Sequence, residues 1–134
     1  MNLFVDTSVW SLALRRDTAS TEPAVARLRD ALSSGEGVFT SGLVLQELLQ
    51  GFSGPRNRDA IVGHFKPLPL LMPDRADHIA AAEVRNVCRR AGVQVGTIDA
   101  LLAQLCLRHD LVMLTTDADF EHMAQHTPLG IWRG

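Results

Sequence analysis

Asn2-Leu3-Phe4-Val5-Asp6-Thr7-Ser8-Val9-Trp10 is the stretch whose reading decides the fold. Its apolar run ends on an acid, with no polar alternation inside it. A run of that kind reads as a strand buried on both faces, as in a parallel sheet. Asp6 or Thr7 then caps a short helix reaching about Leu14. A buried strand that feeds at once into a helix opens a βα unit, and the chain repeats the theme outward from it.

Arg15-Arg16-Asp17 marks a turn. Thr21-Glu22-Pro23 opens a second helix, with proline in the first turn where its missing N–H is harmless, and Gly35 and Gly37 end it. Val38-Phe39-Thr40 reads as a second strand. Ser41 caps a third helix through about Phe52, and Ser53-Gly54-Pro55 stops it. Asn57 to Phe65 is a further helix. Leu68 to Met72 suits an edge strand, because Pro69 costs a ladder donor. Asp74 starts a long helix with Ala76, Ile79, Ala80, Val84, Val87, Cys88 and Ala91 at helical spacing and Gly92 as its C′ residue. Thr97 caps the next helix, to about His109. Leu111 to Leu114 is a continuous apolar strand ending in Thr115-Thr116-Asp117. Asp119 to Gln125 is a last short helix, and Leu129 to Trp132 a last strand. Apolar strands separated by helices predict an α/β fold with a mainly parallel sheet covered on both faces.

Composition bounds the rest. The chain has 134 residues, 46% hydrophobic and 21% charged. These values suit one globular domain over residues 1–134 and exclude a disordered chain. No apolar run approaches the roughly 18 residues of a membrane span, and Asp6 comes too early for a secretory leader. Cys88 and Cys106 cannot make a disulfide framework, match no zinc spacing and sit on apolar helix faces, which predicts inert core thiols in a cytoplasmic protein. The net charge is −2. At first sight that weighs against nucleic acid as a partner. The bases are Arg with the single exception of Lys66.

Most of the acids, Asp77 among them, read as ordinary solvated charges. Four do not. Asp6 and Asp117 directly follow buried strands, and in open parallel sheets ligands bind outside the carboxyl ends of the strands. Each also suits a helix cap. Asp99 falls in one helical stripe with Leu102, Ala103 and Cys106, on the apolar face, where an unpaired carboxylate is costly. A first-turn acid also gains from the helix dipole. Glu47 lies between Leu43 and Val44 at the border of an apolar face, a place that also suits a snorkelling or paired side chain. If all four acids meet at one end of the sheet, protonation or a divalent cation must relieve their repulsion. Oxygen ligands without His or Cys partners favour Mg²⁺ or Mn²⁺ over Zn²⁺. Two such ions are an economical device for in-line phosphodiester hydrolysis.

The motifs Val5-Asp6-Thr7-Ser8-Val9-Trp10, Glu47 in a mid-chain helix, Asp99-Ala100-Leu101-Leu102-Ala103 and Leu114-Thr115-Thr116-Asp117-Ala118-Asp119-Phe120 together resemble the PIN-domain nucleases. At this length the chain looks like the toxin of a VapC-type toxin–antitoxin pair. The resemblance covers essentially the whole chain. It implies a PIN-like three-layer α/β/α sandwich with a central, mostly parallel sheet of four to five strands. It implies a Mg²⁺-dependent endoribonuclease, with Mn²⁺ as substitute, that hydrolyses RNA (tRNA or rRNA) through metal-activated water and forms no covalent intermediate. The family acids fall on Asp6, Glu47, Asp99 and Asp117, with Asp6 and Asp99 in direct metal contact and Asp119 as a further metal-site acid. Ser8 and Thr116 match supporting hydroxyl positions. Gln104, where the family often has Ala, and Thr97 are small departures that remove no acid. The resemblance also implies a homodimer held inactive by a small VapB-like antitoxin lying over the active-site groove. The second helix (Ala24, Val25, Leu28, Leu32) and the third (Leu43, Val44, Leu48) are candidates for that groove, although such stripes also read simply as core.

Other features carry less. His122 and His126 are four apart on one helical face but lack a third ligand. Trp10 beside Asp6 suits base stacking or packing against the sheet. Arg15 and Arg16 are the first candidates for phosphate contacts, ahead of the Arg residues at 27, 29, 56, 58 and 85–90. A haloacid-dehalogenase-like phosphatase needs an Asp where Ser8 stands, and a receiver domain needs a late Lys. A non-catalytic module of the same fold, or a nuclease of RNA processing or DNA metabolism, remains as the alternative. With Asp6, Glu47, Asp99, Asp117 and Asp119 assigned to a metal cluster, ten acids face thirteen bases on the rest of the chain. The overall charge therefore does not exclude an RNA substrate.

Overall fold

Strand β1 (Leu3–Val5) is wholly buried and lies at the centre of a five-stranded sheet in a computed structural model that describes residues 1–15 and 19–134. The chain continues through α1 (Thr7–Ala13), α2 (Pro23–Ser34), β2 (Val38–Ser41), α3 (Gly42–Gly51), α4 (Pro55–Phe65) and β3 (Leu70–Leu71). It closes with α5 (Arg75–Arg90), α6 (Thr97–His109), β4 (Val112–Leu114), α7 (Ala118–Ala124) and β5 (Gly130–Ile131). The strand order is β3-β2-β1-β4-β5, and every pairing is parallel. The expected α/β architecture is thus realised, with the upper number of strands and no antiparallel member. β3 is an edge strand, as expected, but it covers only Leu70–Leu71, and Pro69 lies just before it.

Right-handed crossovers send α1–α4 over one face and α5–α7 over the other. The packing agrees, because α1 meets α2 and α3, α3 meets α4, and α5 lies along α6. The core between the layers includes Phe4, Leu28, Leu48, Leu102, Leu105 and Phe120, all essentially buried. Trp10 belongs to it too, at 3% exposure, with its ring 4.9 Å from that of Phe65. Among the described residues, no helix is long and apolar enough to cross a membrane.

Several local expectations are met at the caps. Asp6, Ser41 and Asp74 cap α1, α3 and α5 with side-chain hydrogen bonds, and Pro23 opens α2. Gly35 and Gly92 follow α2 and α5 at φ +76° and +83°, a left-handed conformation that glycine adopts without a Cβ penalty.

Other expectations need correction. Thr97 does not cap α6 but is its first residue; Gly96 is the N-cap and supplies no side chain. The buried stripe of α5 is Asp77, Ala81, Val84 and Cys88, rotated from the one expected, so Ile79 is 63% exposed. The cause is Asp77 itself, which is not a solvated acid but 1% exposed. Its carboxylate accepts from the Asp74 N–H at 3.0 Å and from Gln104 at 3.4 Å, and pairs with Arg108 at 2.9 Å. Packing this network against α6 turns α5 about its axis. The stripes of α2 and α3 considered for a partner groove are largely core: Ala24, Val25, Leu28, Val44 and Leu48 are buried, Leu43 is half-buried, and Leu32 is exposed.

Candidate metal centre

The sheet topology dictates where a site forms. From β1 the chain winds outward through β2 to β3, then crosses back and continues outward on the other side through β4 to β5. The switch point lies between β1 and β4, and ligands of open parallel sheets bind outside the strand ends at such a point. Val5 stands level with Leu114, and the Asp6 N–H donates to the Leu114 carbonyl at 3.2 Å. Asp6 and the Thr115-Thr116-Asp117 segment therefore emerge side by side.

Asp6 is 4% exposed and held by four hydrogen bonds. Its Oδ1 accepts from the Ser8 hydroxyl at 2.6 Å, the Ser8 N–H at 3.1 Å and the Val9 N–H at 3.4 Å. Its Oδ2 accepts from the Thr115 hydroxyl at 2.7 Å. Carboxylate oxygens have two lone pairs each, so Oδ2 keeps one uncommitted. The helix cap and the site residue, weighed as alternatives from sequence, are one and the same carboxylate. Thr115 also accepts the Asp117 N–H at 2.9 Å, and Ser8 accepts the Thr116 N–H at 3.0 Å. Two hydroxyls thus stitch the end of β1 to the end of β4. Thr116, expected to supply a hydroxyl, supplies its amide to this network. Thr115 is the residue sequence reasoning passed over. The signal lay in the alternation of extended chain, which puts Thr115 on the same side as Asp117.

Asp99 enters from α6. That helix runs back against the strands before β4, so its first turn lies at the carboxyl end of the sheet. The side chain is half-buried, near the core face as expected but not sealed within it. One carboxylate oxygen each from Asp99, Asp117 and Asp119 lies within 4.8 Å of the others. Asp117 caps α7 by accepting the Asp119 N–H at 2.9 Å, which bends Asp119 toward the cluster. Glu47 arrives from the opposite helical layer. It is exposed, at the edge of the stripe that half-buries Leu43 and buries Val44, and the Thr7 hydroxyl donates to its Oε1 at 3.1 Å.

Burial raises the Asp99 pKa to about 6, with further contributions from Asp117, Asp119, Glu47 and Asp6. Burial also raises that of Asp6, against the hydrogen bonds from Ser8, Thr115 and Val9 that lower it, and Asp117 adds to the rise. Beneath Asp6, burial pushes the Cys106 thiol far up, so it stays an inert thiol. Carboxylates gathered at one end of the sheet, with Asp6 and Asp99 pushed up by burial, fit a divalent cation. The donor set is all oxygen, which suits Mg²⁺ or Mn²⁺.

The remaining candidates lie elsewhere. Arg15 is exposed at the far end of α1, beside Phe52, Asn57 and His64, about two helical turns from Asp6. Arg16 lies outside the described residues. His122 and His126 are exposed on and just beyond α7, and among the described residues the metal-holding group is the Asp99, Asp117 and Asp119 set.

Comparison with known proteins gives this arrangement a context. A family model described as PIN domain matches residues 3–125. VapC ribonuclease Mb1587 of Mycobacterium bovis is 32% identical over 130 residues, covering 95% of each chain. Ribonuclease VapC11 of Mycobacterium tuberculosis matches to the same extent. Among solved structures, DNA-bound VapBC from Salmonella typhimurium superimposes with a TM-score of 0.77 at 22% identity, covering 98% of this chain and 97% of that one.

Proposed function

The chain belongs to the PIN domain family, and on that premise we propose that it is a Mg²⁺-dependent endoribonuclease, the toxin of a VapBC-type pair. The observation that carries this reading is the approach of Asp99, Asp117 and Asp119 to one another at the switch point of the sheet, with Asp6 and Glu47 near enough to act on the charge of Asp99. Such a cluster is costly to keep unless a cation and a phosphodiester are its business. The ribonuclease names of two relatives, each covering nearly the whole chain, support RNA as the substrate.

Asp6, clamped by Ser8 and Thr115, offers Oδ2 in a fixed direction. Asp99 from α6 and Asp117 and Asp119 at α7 would supply the oxygens that gather on the cation. Glu47 stands on the solvent side, placed to orient the attacking water or to hold a cation through one. A bound Mg²⁺ would polarise the phosphate and activate water for in-line attack, with Mn²⁺ as substitute. No side-chain nucleophile is needed, so no covalent intermediate is formed. As substrate we favour tRNA or rRNA, and as setting the cytoplasm and a homodimer; the likeness to a VapBC structure supports a VapB-like antitoxin as partner.

Incubation of total RNA with purified protein tests the reading. Cleavage is expected with Mg²⁺ or Mn²⁺, to cease with EDTA and to fall by at least 100-fold in Asp6→Asn and Asp99→Asn. If both variants cut like the wild type, the site is misassigned. Cleavage of DNA in place of RNA would turn the reading toward a DNA-directed PIN nuclease.

A further inference from the structure

β5 extends the site end of the sheet beyond the acids. Ile131 stands level with Met113, and the Trp132 N–H donates to the Met113 carbonyl at 2.9 Å. Because all strands are parallel, Trp132 leaves β5 at the end where Asp6 and Asp117 leave β1 and β4. An open groove of about 440 Å³ lies there, lined by Thr115 and Thr116, by Pro23 and Ala24 at the start of α2, and by Trp132 and Arg133. That volume is in the range of small-molecule sites. Thr115 is the residue whose hydroxyl holds Asp6, so the groove and the acid cluster share a wall.

The lining selects what the groove takes. Its one basic residue among those described, Arg133, is engaged with Glu121 at 2.6 Å, and Glu22 stands on the rim. A phosphate gains little in such surroundings. A half-buried indole beside proline and threonine instead suits a flat, uncharged ring. Every nucleobase has a π-face that stacks on an aromatic side chain. Trp10, the other indole near Asp6, is closed off by Phe65 and the sheet.

We propose that this groove binds a nucleobase of the substrate strand next to the scissile phosphate, stacked on Trp132. The proposal rests on the ribonuclease reading above and adds to it the place where the strand is gripped. Stacking tolerates any base, so the groove orients the strand without reading its sequence.

Trp132 and Trp10 are the only tryptophans, and the chain has no tyrosine, so intrinsic fluorescence reports on the groove directly. The probe is a six-nucleotide RNA added with Mg²⁺ to the Asp99→Asn chain, which keeps the strand intact. Fluorescence is expected to be quenched, and an abasic hexamer of the same backbone is expected to bind more weakly without quenching. Trp132→Phe should abolish the signal with the fold retained. Trp132→Leu should weaken RNA binding on the order of tenfold. Equal quenching by the abasic strand, a signal that survives Trp132→Phe, or unchanged affinity in Trp132→Leu overturns the proposal. RNA binding without quenching removes the groove alone. Absence of any RNA binding overturns the ribonuclease reading and the groove with it.

Discussion

Asp6 spends one carboxylate on two tasks. Oδ1 caps α1, and Oδ2 accepts from the Thr115 hydroxyl at the end of β4. The same hydroxyl anchors the Asp117 amide, so one side chain sets two acids at once. Thr115→Val should therefore weaken Mn²⁺ binding about tenfold with a smaller effect on stability, and Thr115→Ser should restore it; calorimetric titration of each variant measures this. Asp99 permits a test by pH. Its pKa rises from 3.8 unfolded to about 6 folded, so the folded state binds the proton more tightly. The resulting stabilisation is complete below about pH 4 and is lost as pH rises through 6. In metal-free protein, Asp99→Asn should raise the melting temperature at pH 7–8, and the gain should vanish near pH 4. At this scale the sequence is legible where a residue breaks its local pattern, as Asp6 and Asp99 do. Thr115 breaks none, because a threonine after a strand is ordinary and only the partner strand gives it a role. Asp77 was hidden for a similar reason: its partners are 27 and 31 residues away, at Gln104 and Arg108.

Among the elements, α6 carries the most demanding placement, since Asp99 must reach the cluster from a helix whose N-cap offers no side chain. Its position comes from α5, which holds it near both ends. Arg85 donates from Nε to the Val95 carbonyl at 2.8 Å, just before α6, while Asp74 and Asp77 grip Arg108 near its end at 2.8 and 2.9 Å. Asp77 and Asp74 also form the capping box of α5. Asp77→Ala removes a cap and the buried partner of Arg108 together and should cost about 1–3 kcal/mol in urea unfolding. The cost should exceed that of removing Arg58, whose pair with Asp59 is solvated. Helix and strand positions were legible from apolar runs, prolines, glycines and capping residues, which act locally. The facing of α5 was not, because the burial of Asp77 with its partners on α6 overrode its apolar periodicity.

For the whole molecule, alternation of strands and helices sufficed to indicate a parallel α/β fold. The order β3-β2-β1-β4-β5 was not legible, since crossover direction is settled by packing rather than by any single residue. Yet that order makes the site, by bringing β1 and β4 together at the switch point. The same organisation explains the net charge of −2: a cluster of acids gathered at one end is averaged with a surface where bases outnumber the remaining acids. A cation that binds only the folded chain stabilises it by mass action, about 2.7 kcal/mol at a hundredfold excess over Kd, so Mg²⁺ should raise the melting temperature by several degrees. The central claim is that the acids form one cation site, and calorimetric titration of Mn²⁺ into wild type and Asp99→Asn tests it most directly. Saturable binding by the wild type, weakened at least tenfold in the variant, is the expected result. Equal Mn²⁺ affinity in the two proteins, or none in either, would contradict it.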